Sequence, residues 1–271
     1  MSSKKSAAIL GGGNIGLAIA NGLITSNLFP AKHIYITRNR VEQLADIKEK
    51  DVHVGSDNKY AVKNSEVIIL AVQPKQMSDL LNDIKDVVDE KKHLIISVVS
   101  GAGIKAIKEQ IGKNVTVIRA MPNTAIAIGE SMTCLSASTK TDPNLKIAKD
   151  IFDSVGKTLI IDEHLMVPAT ALCACGTAFF LRAIRAASQG GIEIGFHADE
   201  AILMAAQTAK GAATLLLENK NHPESEVDKV TTPQGITISG LNQMEHYGFS
   251  SAMIRGIVTS AEKAARLYSV D

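Results

Sequence analysis

Near the start of the chain, Gly11-Gly12-Gly13-Asn14-Ile15-Gly16 follows an apolar run and precedes a helical pattern. Glycines at the first, third and sixth positions of such a loop have separate tasks. The first permits a tight strand-to-helix turn, the second lets backbone approach a pyrophosphate, and the third lets the helix pack on the strand. Gly11, Gly13 and Gly16 hold those positions. The helix opening at Asn14 and Ile15 then presents free N–H groups to negative charge. This chemistry is the binding of a nicotinamide dinucleotide. About twenty residues further on, NAD binders place a carboxylate on the ribose 2′-hydroxyl. This chain has Thr37-Arg38-Asn39-Arg40 there instead. A hydroxyl, guanidinium groups and an amide suit a 2′-phosphate, with Arg able to pair bidentately. NADPH is the expected cofactor, with NADH as the alternative.

A second constellation lies far along the chain, at Val230-Thr231-Thr232-Pro233-Gln234-Gly235-Ile236-Thr237. Pro233 and Gly235 make a constrained turn and a helix starts close behind it. The N–H groups of Gly235, Ile236 and Thr237 would be free to bind an anion, and Thr237 adds a hydroxyl that donates or accepts. A plain threonine-capped helix start accounts for the same residues.

The elements that must position these groups change character near Asp162. Before it, short apolar runs at 7–10, 34–37, 67–72, 94–99, 115–119, 131–135 and 158–161 alternate with helical patterns such as 41–50, 76–88 and 143–155. Strand–helix alternation predicts a parallel sheet covered by helices on both faces. In such sheets ligands sit outside the carboxyl ends of the strands. That places Ala71, Val72 and Pro74, the segment 97–101, and Asn123 after 119–122 as expected cofactor contacts. After Asp162 the strand signal ends and Ala/Leu/Ile-rich helices take over, with stops at Gly195 and Gly248. Pro223 suits the first turn of a short helix through Val230. Asp199 and Glu200 suit the first turn of another running to about Lys220. Ala201, Ala205, Ala209 and Ala212 give that helix a small-residue stripe. The predicted class is α/β: a Rossmann-type doubly wound sheet over 1–162, then an all-helical domain over 163–271. The helices carry more apolar surface than a small domain can bury, so a homodimer through them is expected.

The bulk composition excludes several classes. Of 271 residues, 45% are hydrophobic and 21% charged, with a formal net charge of +1. No basic excess points to nucleic acid or a membrane surface. Aromatics at 4% and the lack of Trp leave no base-stacking platform. Three cysteines, Cys134, Cys173 and Cys175, argue against a disulfide framework and fit a reducing, cytoplasmic setting. Cys173 and Cys175 have no companion ligands, so no metal site is expected. Lys4 and Lys5 precede an apolar run that breaks at Gly11, a poor match to a signal peptide. The uncharged stretch 165–181 contains Pro168 and Gly176 and is expected in a buried helix pair or a subunit interface.

Taken together, the loop at 11–16, Ala71-Val72-Gln73-Pro74, Arg119-Ala120-Met121-Pro122-Asn123-Thr124, Gly190-Gly191, the segment 232–241 and Glu245-His246-Tyr247-Gly248-Phe249 resemble the pyrroline-5-carboxylate reductase family over nearly the whole chain. The resemblance implies reduction of 1-pyrroline-5-carboxylate to L-proline with NADPH or NADH. It also implies a helical domain that dimerises, often within a larger ring of dimers, and a site assembled between subunits. It assigns Thr232, Gly235, Ile236 and Thr237 to the substrate carboxylate and ring nitrogen, Thr237 to the imine, and Asn58 to the cofactor ribose. The chain departs from the family pattern in places. The family usually reads Ser-Gly-Ser-Gly-Pro-Ala where this chain has Cys173-Ala174-Cys175-Gly176-Thr177-Ala178, and two glycines where it has Gln234-Gly235. It often has lysine at Gln73 and proline at Ala125. Two other readings stay open. One is a reductase of a different imine or of a 3-hydroxy acid, although Lys210 lacks the Gly-x-x-x-Asn-Lys pattern of the hydroxy-acid enzymes. The other is an NADP-binding paralogue without turnover.

Overall fold

The apolar runs become the strands of one sheet in the computed structural model, which describes residues 6–268. Lys4 and Lys5 lie outside the described residues. The strands are β1 (Ala7–Leu10), β2 (Ile34–Thr37), β3 (His53–Gly55), β4 (Val67–Leu70), β5 (Leu94–Ser97), β6 (Thr116–Met121), β7 (Ser131–Ser136) and β8 (Gly156–Ile160). They lie in the order β3-β2-β1-β4-β5-β6-β7-β8. Every residue of β1, β4 and β5 is buried, as expected for strands covered on both faces. Alternate residues of β1 feed separate cores: Ala7 and Ile9 pack with Ile36, Ile69 and Phe152, while Ala8 and Leu10 pack with Ile68, Leu81 and Ile95.

The sheet is parallel from β3 through β6, as the alternation predicts. The β6–β7 pair is antiparallel, in the register Arg119↔Ser136, Ala120↔Leu135 and Met121↔Cys134. The link from Met121 to Ser131 is too short for the crossover of about a dozen residues that a parallel return requires. β8 then pairs in parallel with β7.

The first helices are α1 (Asn14–Thr25), α2 (Ala45–Lys48), α3 (Asn58–Lys63), α4 (Met77–Ile84), α5 (Ile104–Ile111) and α6 (Asn144–Asp153). The pattern expected as helix over 41–50 is a 3-10 turn, Val41–Leu44, running into the short α2. β3 and α5 are additions to the sequence reading.

The chain divides into two compact units. The first runs to Ala174 and takes in the chain from Ala261; the second is Cys175–Ser260. By compactness the division falls after 174, while the strand signal ends near 162 as the sequence predicts. The segment between them is held by the sheet unit. Glu163 accepts from the N–H of Ile104 at 2.7 Å and pairs with Arg119 at 3.4 Å. Met166, in α7 (Met166–Ala169), packs with Met121 and Cys134. A π-helical turn, Thr170–Cys175, follows α7.

The second unit is helical throughout: α8 (Gly176–Glu193), α9 (Ala198–Asn219), α10 (Pro223–Val230), α11 (Ile236–His246) and the first part of α12 (Phe249–Tyr268). Gly195 and Gly248 follow helix ends with φ of +114° and +79°, as the stop signals predict. Pro223 opens α10. A Cβ on Gly191 would lie 3.0 Å from that of Ala201, so this pair lets α8 and α9 approach closely. Along the stripe Ala201 is buried and Ala205 and Ala209 are half-buried, while Ala212 is exposed. Glu163–Glu193 is long and apolar enough to cross a membrane by length and composition, and 17% of its most apolar stretch is buried. Leu172, Phe180 and Leu181 are exposed. One chain alone therefore does not bury 165–181 in a helix pair.

Candidate functional site

The glycine loop sits where the strand order reverses, between the carboxyl ends of β1 and β4. Gly11 has φ of +116°, and a Cβ there would overlap the carbonyl of Ala71. A Cβ on Gly16 would overlap the carbonyl of Gly11. Both positions exclude a side chain for reasons internal to the protein. Gly13 is different: its φ is −83° and a Cβ would meet nothing within 4 Å. Glycine at 13 keeps open a space outside the protein, which is what a phosphate-binding loop requires. The N–H groups of Gly11 and Gly12 both donate to the carbonyl of Thr37, at 3.1 and 2.7 Å. The helix α1 starts with Gly13 as its N-cap and has no side-chain cap. The N–H of Leu17 closes the first helical bond onto Gly13 at 2.8 Å. The N–H groups of Asn14, Ile15 and Gly16 precede that bond and point out of the helix start, towards an anion.

A cleft of about 350 Å³ opens beside this loop. Its wall includes Gly11, Gly13, Thr37, Arg38, Asn39, Asn58, Ala71 and Val72, all anticipated from the sequence. Arg38 donates from Nη1 to the carbonyl of Gly12 at 2.6 Å. Thr37 donates to Asn58 Oδ1 at 2.7 Å, and Asn58 donates onward to Asp83 at 3.2 Å. Asn58 is the first residue of α3, whose start is capped by Asp57 accepting from the N–H of Tyr60. The short β3 brings α3 here, pairing with β2 from Tyr35 to Thr37. A hydroxyl, amides, a guanidinium and an uncapped helix start fit a dinucleotide carrying a 2′-phosphate.

Gly12, Arg40 and Gln73, from the segments named in the sequence, also line the cleft, as do Gln43, Ser56, Gln76 and Leu80, which were not anticipated. The Val52/Val54 alternation followed by Gly55-Ser56-Asp57 was the available signal for β3 and Ser56. Pro74 is not in the wall. It opens a 3-10 turn in which Gln76 reaches back to the N–H of Gln73 at 3.2 Å. Asn123 is not in the wall either. Its Oδ1 accepts from the N–H of Ala125 at 3.0 Å and its Nδ2 donates to the carbonyl of Cys173 at 3.1 Å. Its side chain thus ties the turn after β6 to the π-helical turn. Next to it, the ends of β5 and β6 with Met166 and Thr170 enclose a crevice of about 10 Å³, about the room of one water.

In the helical unit, Thr232-Pro233-Gln234-Gly235 forms a turn closed by the N–H of Gly235 on the carbonyl of Thr232 at 2.9 Å. Gln234 occupies the left-handed region at φ +59°, where glycine is the usual residue of such a turn. The N–H of Gly235 is therefore committed to the turn and is not free for a ligand, contrary to the sequence expectation. The helix α11 begins with Gly235 as its N-cap and no side-chain cap, so the threonine-capping alternative does not hold. The N–H groups of Ile236 and Thr237 remain at the opening of the helix. Ile236 is 92% exposed and Thr237 half-buried.

Comparison with known proteins matches both halves of this arrangement. Residues 163–267 match the family model described as pyrroline-5-carboxylate reductase dimerisation. Residues 6–101 match that described as NADP oxidoreductase, coenzyme F420-dependent. The chain is 56% identical to pyrroline-5-carboxylate reductase 1 of Dictyostelium discoideum over 97% of its own length, and spans half the length of that relative, 50%. It is 46% identical to pyrroline-5-carboxylate reductase 2 of the same organism, over 98% of this chain and 94% of that protein. The structure of Plasmodium falciparum pyrroline carboxylate reductase with NADP bound is similar at a TM-score of 0.85 and 25% identity, covering 99% of this chain and 100% of that one. With a sheet unit built around an open glycine loop, a helical unit built around an open threonine turn, and relatives alike along its whole length, the chain belongs to the pyrroline-5-carboxylate reductase family.

Proposed function

We propose that this chain reduces 1-pyrroline-5-carboxylate to L-proline, the closing step of proline biosynthesis, using NADPH, with NADH as the alternative donor. The observation that carries the reading is that α1 and α11 each open at a glycine without a side-chain cap. Each leaves N–H groups and a helix dipole for an anion, one a pyrophosphate and the other a carboxylate. The cofactor supplies a hydride for the imine carbon. The amides of Asn14, Ile15 and Gly16 hold its pyrophosphate, and Thr37, Arg38 and Asn39 take its 2′-phosphate. The amides of Ile236 and Thr237 hold the substrate carboxylate. The Thr237 hydroxyl orients the ring nitrogen and steadies the proton that makes the imine electrophilic. Positioning does most of the work, and can be worth roughly 7–11 kcal/mol.

The exposed apolar side chains Phe180, Leu181, Leu203, Leu217 and Ile254 support a homodimer through the helical unit; the family resemblance extends this to a larger ring of dimers. The reducing setting implied by the cysteines supports a cytoplasmic protein. Purified protein, NADPH and pyrroline-5-carboxylate test the activity: NADPH absorbance should fall as proline appears. Turnover only with other imines or 3-hydroxy acids would replace this substrate. NADPH binding without any turnover would make the chain a non-catalytic paralogue.

A further inference from the structure

Two thiols face each other beside the turn that Asn123 anchors. Cys134 lies on β7, opposite Met121 at the end of β6, and is 2% exposed. Cys173 lies in the π-helical turn and is half-buried. Their sulfurs are 4.0 Å apart. A disulfide bond is about 2.05 Å long, so closing this pair takes a movement of about 2 Å.

We propose that Cys134 and Cys173 are a redox pair, oxidised by a hydroperoxide to a disulfide that displaces the π-helical turn and slows the reduction. The effect on turnover rests on the reductase reading above; the disulfide does not. Access sets the roles: Cys173 is half-buried and Cys134 is 2% exposed, so a peroxide reaches Cys173 first. The hydrogen bond between the two sulfurs holds Cys173 below the ordinary thiol range, with burial acting against it. The same hydrogen bond, and then burial, push Cys134 well up. Cys173 is therefore the attacking thiolate and Cys134 the resolving thiol. Cys173 attacks one peroxide oxygen, the O–O bond breaks, and the leaving oxygen takes up the proton that Cys173 released, giving a sulfenic acid and an alcohol, or water from hydrogen peroxide. Cys134 then attacks the Cys173 sulfur, the S–O bond breaks, and hydroxide leaves with the Cys134 proton as water. Two thiols lose two electrons and the peroxide gains them.

The consequence for function follows from the backbone. The carbonyl of Cys173 receives the side-chain amide of Asn123, which also sets the turn after β6. Wide π-helical turns occur mostly as single-turn bulges in helices, frequently at functional sites. Drawing Cys173 towards β7 shifts the partner on which Asn123 relies, at the strand ends where the nicotinamide is expected.

The test treats the full chain with hydrogen peroxide and maps peptides without reduction. Turnover is followed before peroxide, after it, and after a thiol reductant, with Cys134→Ala alongside. The expected result is a Cys134–Cys173 cross-linked peptide, absent from Cys134→Ala. Turnover should fall by roughly tenfold to a hundredfold, the scale of an ångström's misplacement, and return on reduction. A dione that traps sulfenic acids should label Cys173 persistently in Cys134→Ala. Absence of the cross-link, a Cys173–Cys175 bond in its place, or a cross-link with unchanged turnover would overturn the proposal. Should Cys134→Ala fold poorly, Cys173→Ser replaces it as the cross-link control. A chain without turnover before peroxide would count against the reductase reading, and the cross-link would still decide the pair.

Discussion

The helices α1 and α11 open in the same way and are held in different ways. Each has a glycine N-cap in extended backbone, with φ of −83° and −73°, and neither has a side-chain cap. By contrast, α3 is capped by Asp57 and α10 by His222, which accepts from the N–H of Glu224. The start of α1 is fixed from outside its own segment: the Ala71 carbonyl abuts Gly11, and the Thr37 carbonyl receives two N–H groups. The start of α11 is fixed by its neighbours in sequence, through one turn hydrogen bond and a proline. Gln234 there sits in the left-handed region, at a cost of about 1–2 kcal/mol for a residue with a side chain. The dinucleotide loop is thus a product of the sheet, and it changes only if the sheet changes. The turn at 232–235 is a local device, held by its own residues.

Gly11→Ala should break this comparison most forcefully. The new methyl group meets backbone, and backbone cannot swing aside. We expect a loss of about 3 kcal/mol in stability and a fall in NADPH affinity of at least about a hundredfold, read by thermal melting and fluorescence titration. Native-like NADPH binding would show that packing does not hold the loop. Thr237→Ala acts on the other opening. Turnover should drop by about ten- to a hundredfold, as for removal of one well-placed donor, while the NADPH dissociation constant stays put. Unchanged turnover would remove Thr237 from the reaction. Gln234→Gly should have the smallest effect. Relief of the left-handed strain outweighs the added freedom of the unfolded chain by about 0.5 kcal/mol, worth about 2 °C in melting temperature. A lower melting temperature would mean that the glutamine side chain makes a stabilising contact.

Most of the sheet was legible because its strands are buried on both faces and read as unbroken apolar runs, as in Val67-Ile68-Ile69-Leu70. β3 was missed because three residues with an exposed His53 carry no such run. The direction of β7 was not legible: apolarity is the same in either direction, and only the length of the preceding link separates them. In the site, glycine spacing located Gly11 and Gly16 because the protein's own backbone leaves no room for a side chain there, and Gly13 because the loop keeps that space open. Pro74 and Asn123 stand at strand ends, which marks them as cofactor contacts in the sequence; the structure adds that both take part in the turns that follow β4 and β6. The commitment of the Gly235 N–H was hidden as well, since Pro233 signals a turn but not which donor closes it. Cys134 and Cys173 are far apart in sequence, and only the pairing of β7 beside the π-helical turn makes them neighbours.

The two hydrogen bonds to Thr37 divide the glycine loop in a way that bears on its exchange with solvent. The amide hydrogens of Gly11 and Gly12 are tied to the end of β2, a strand paired on both sides, so they are released only when that part of the sheet opens. Those of Asn14 and Ile15, a few residues on, sit at a helix start with no cap to slow them. Local stability therefore steps from near its greatest to near its least within a single loop. The first half pins the frame of reference, and the second half is the part that a bound anion can quiet.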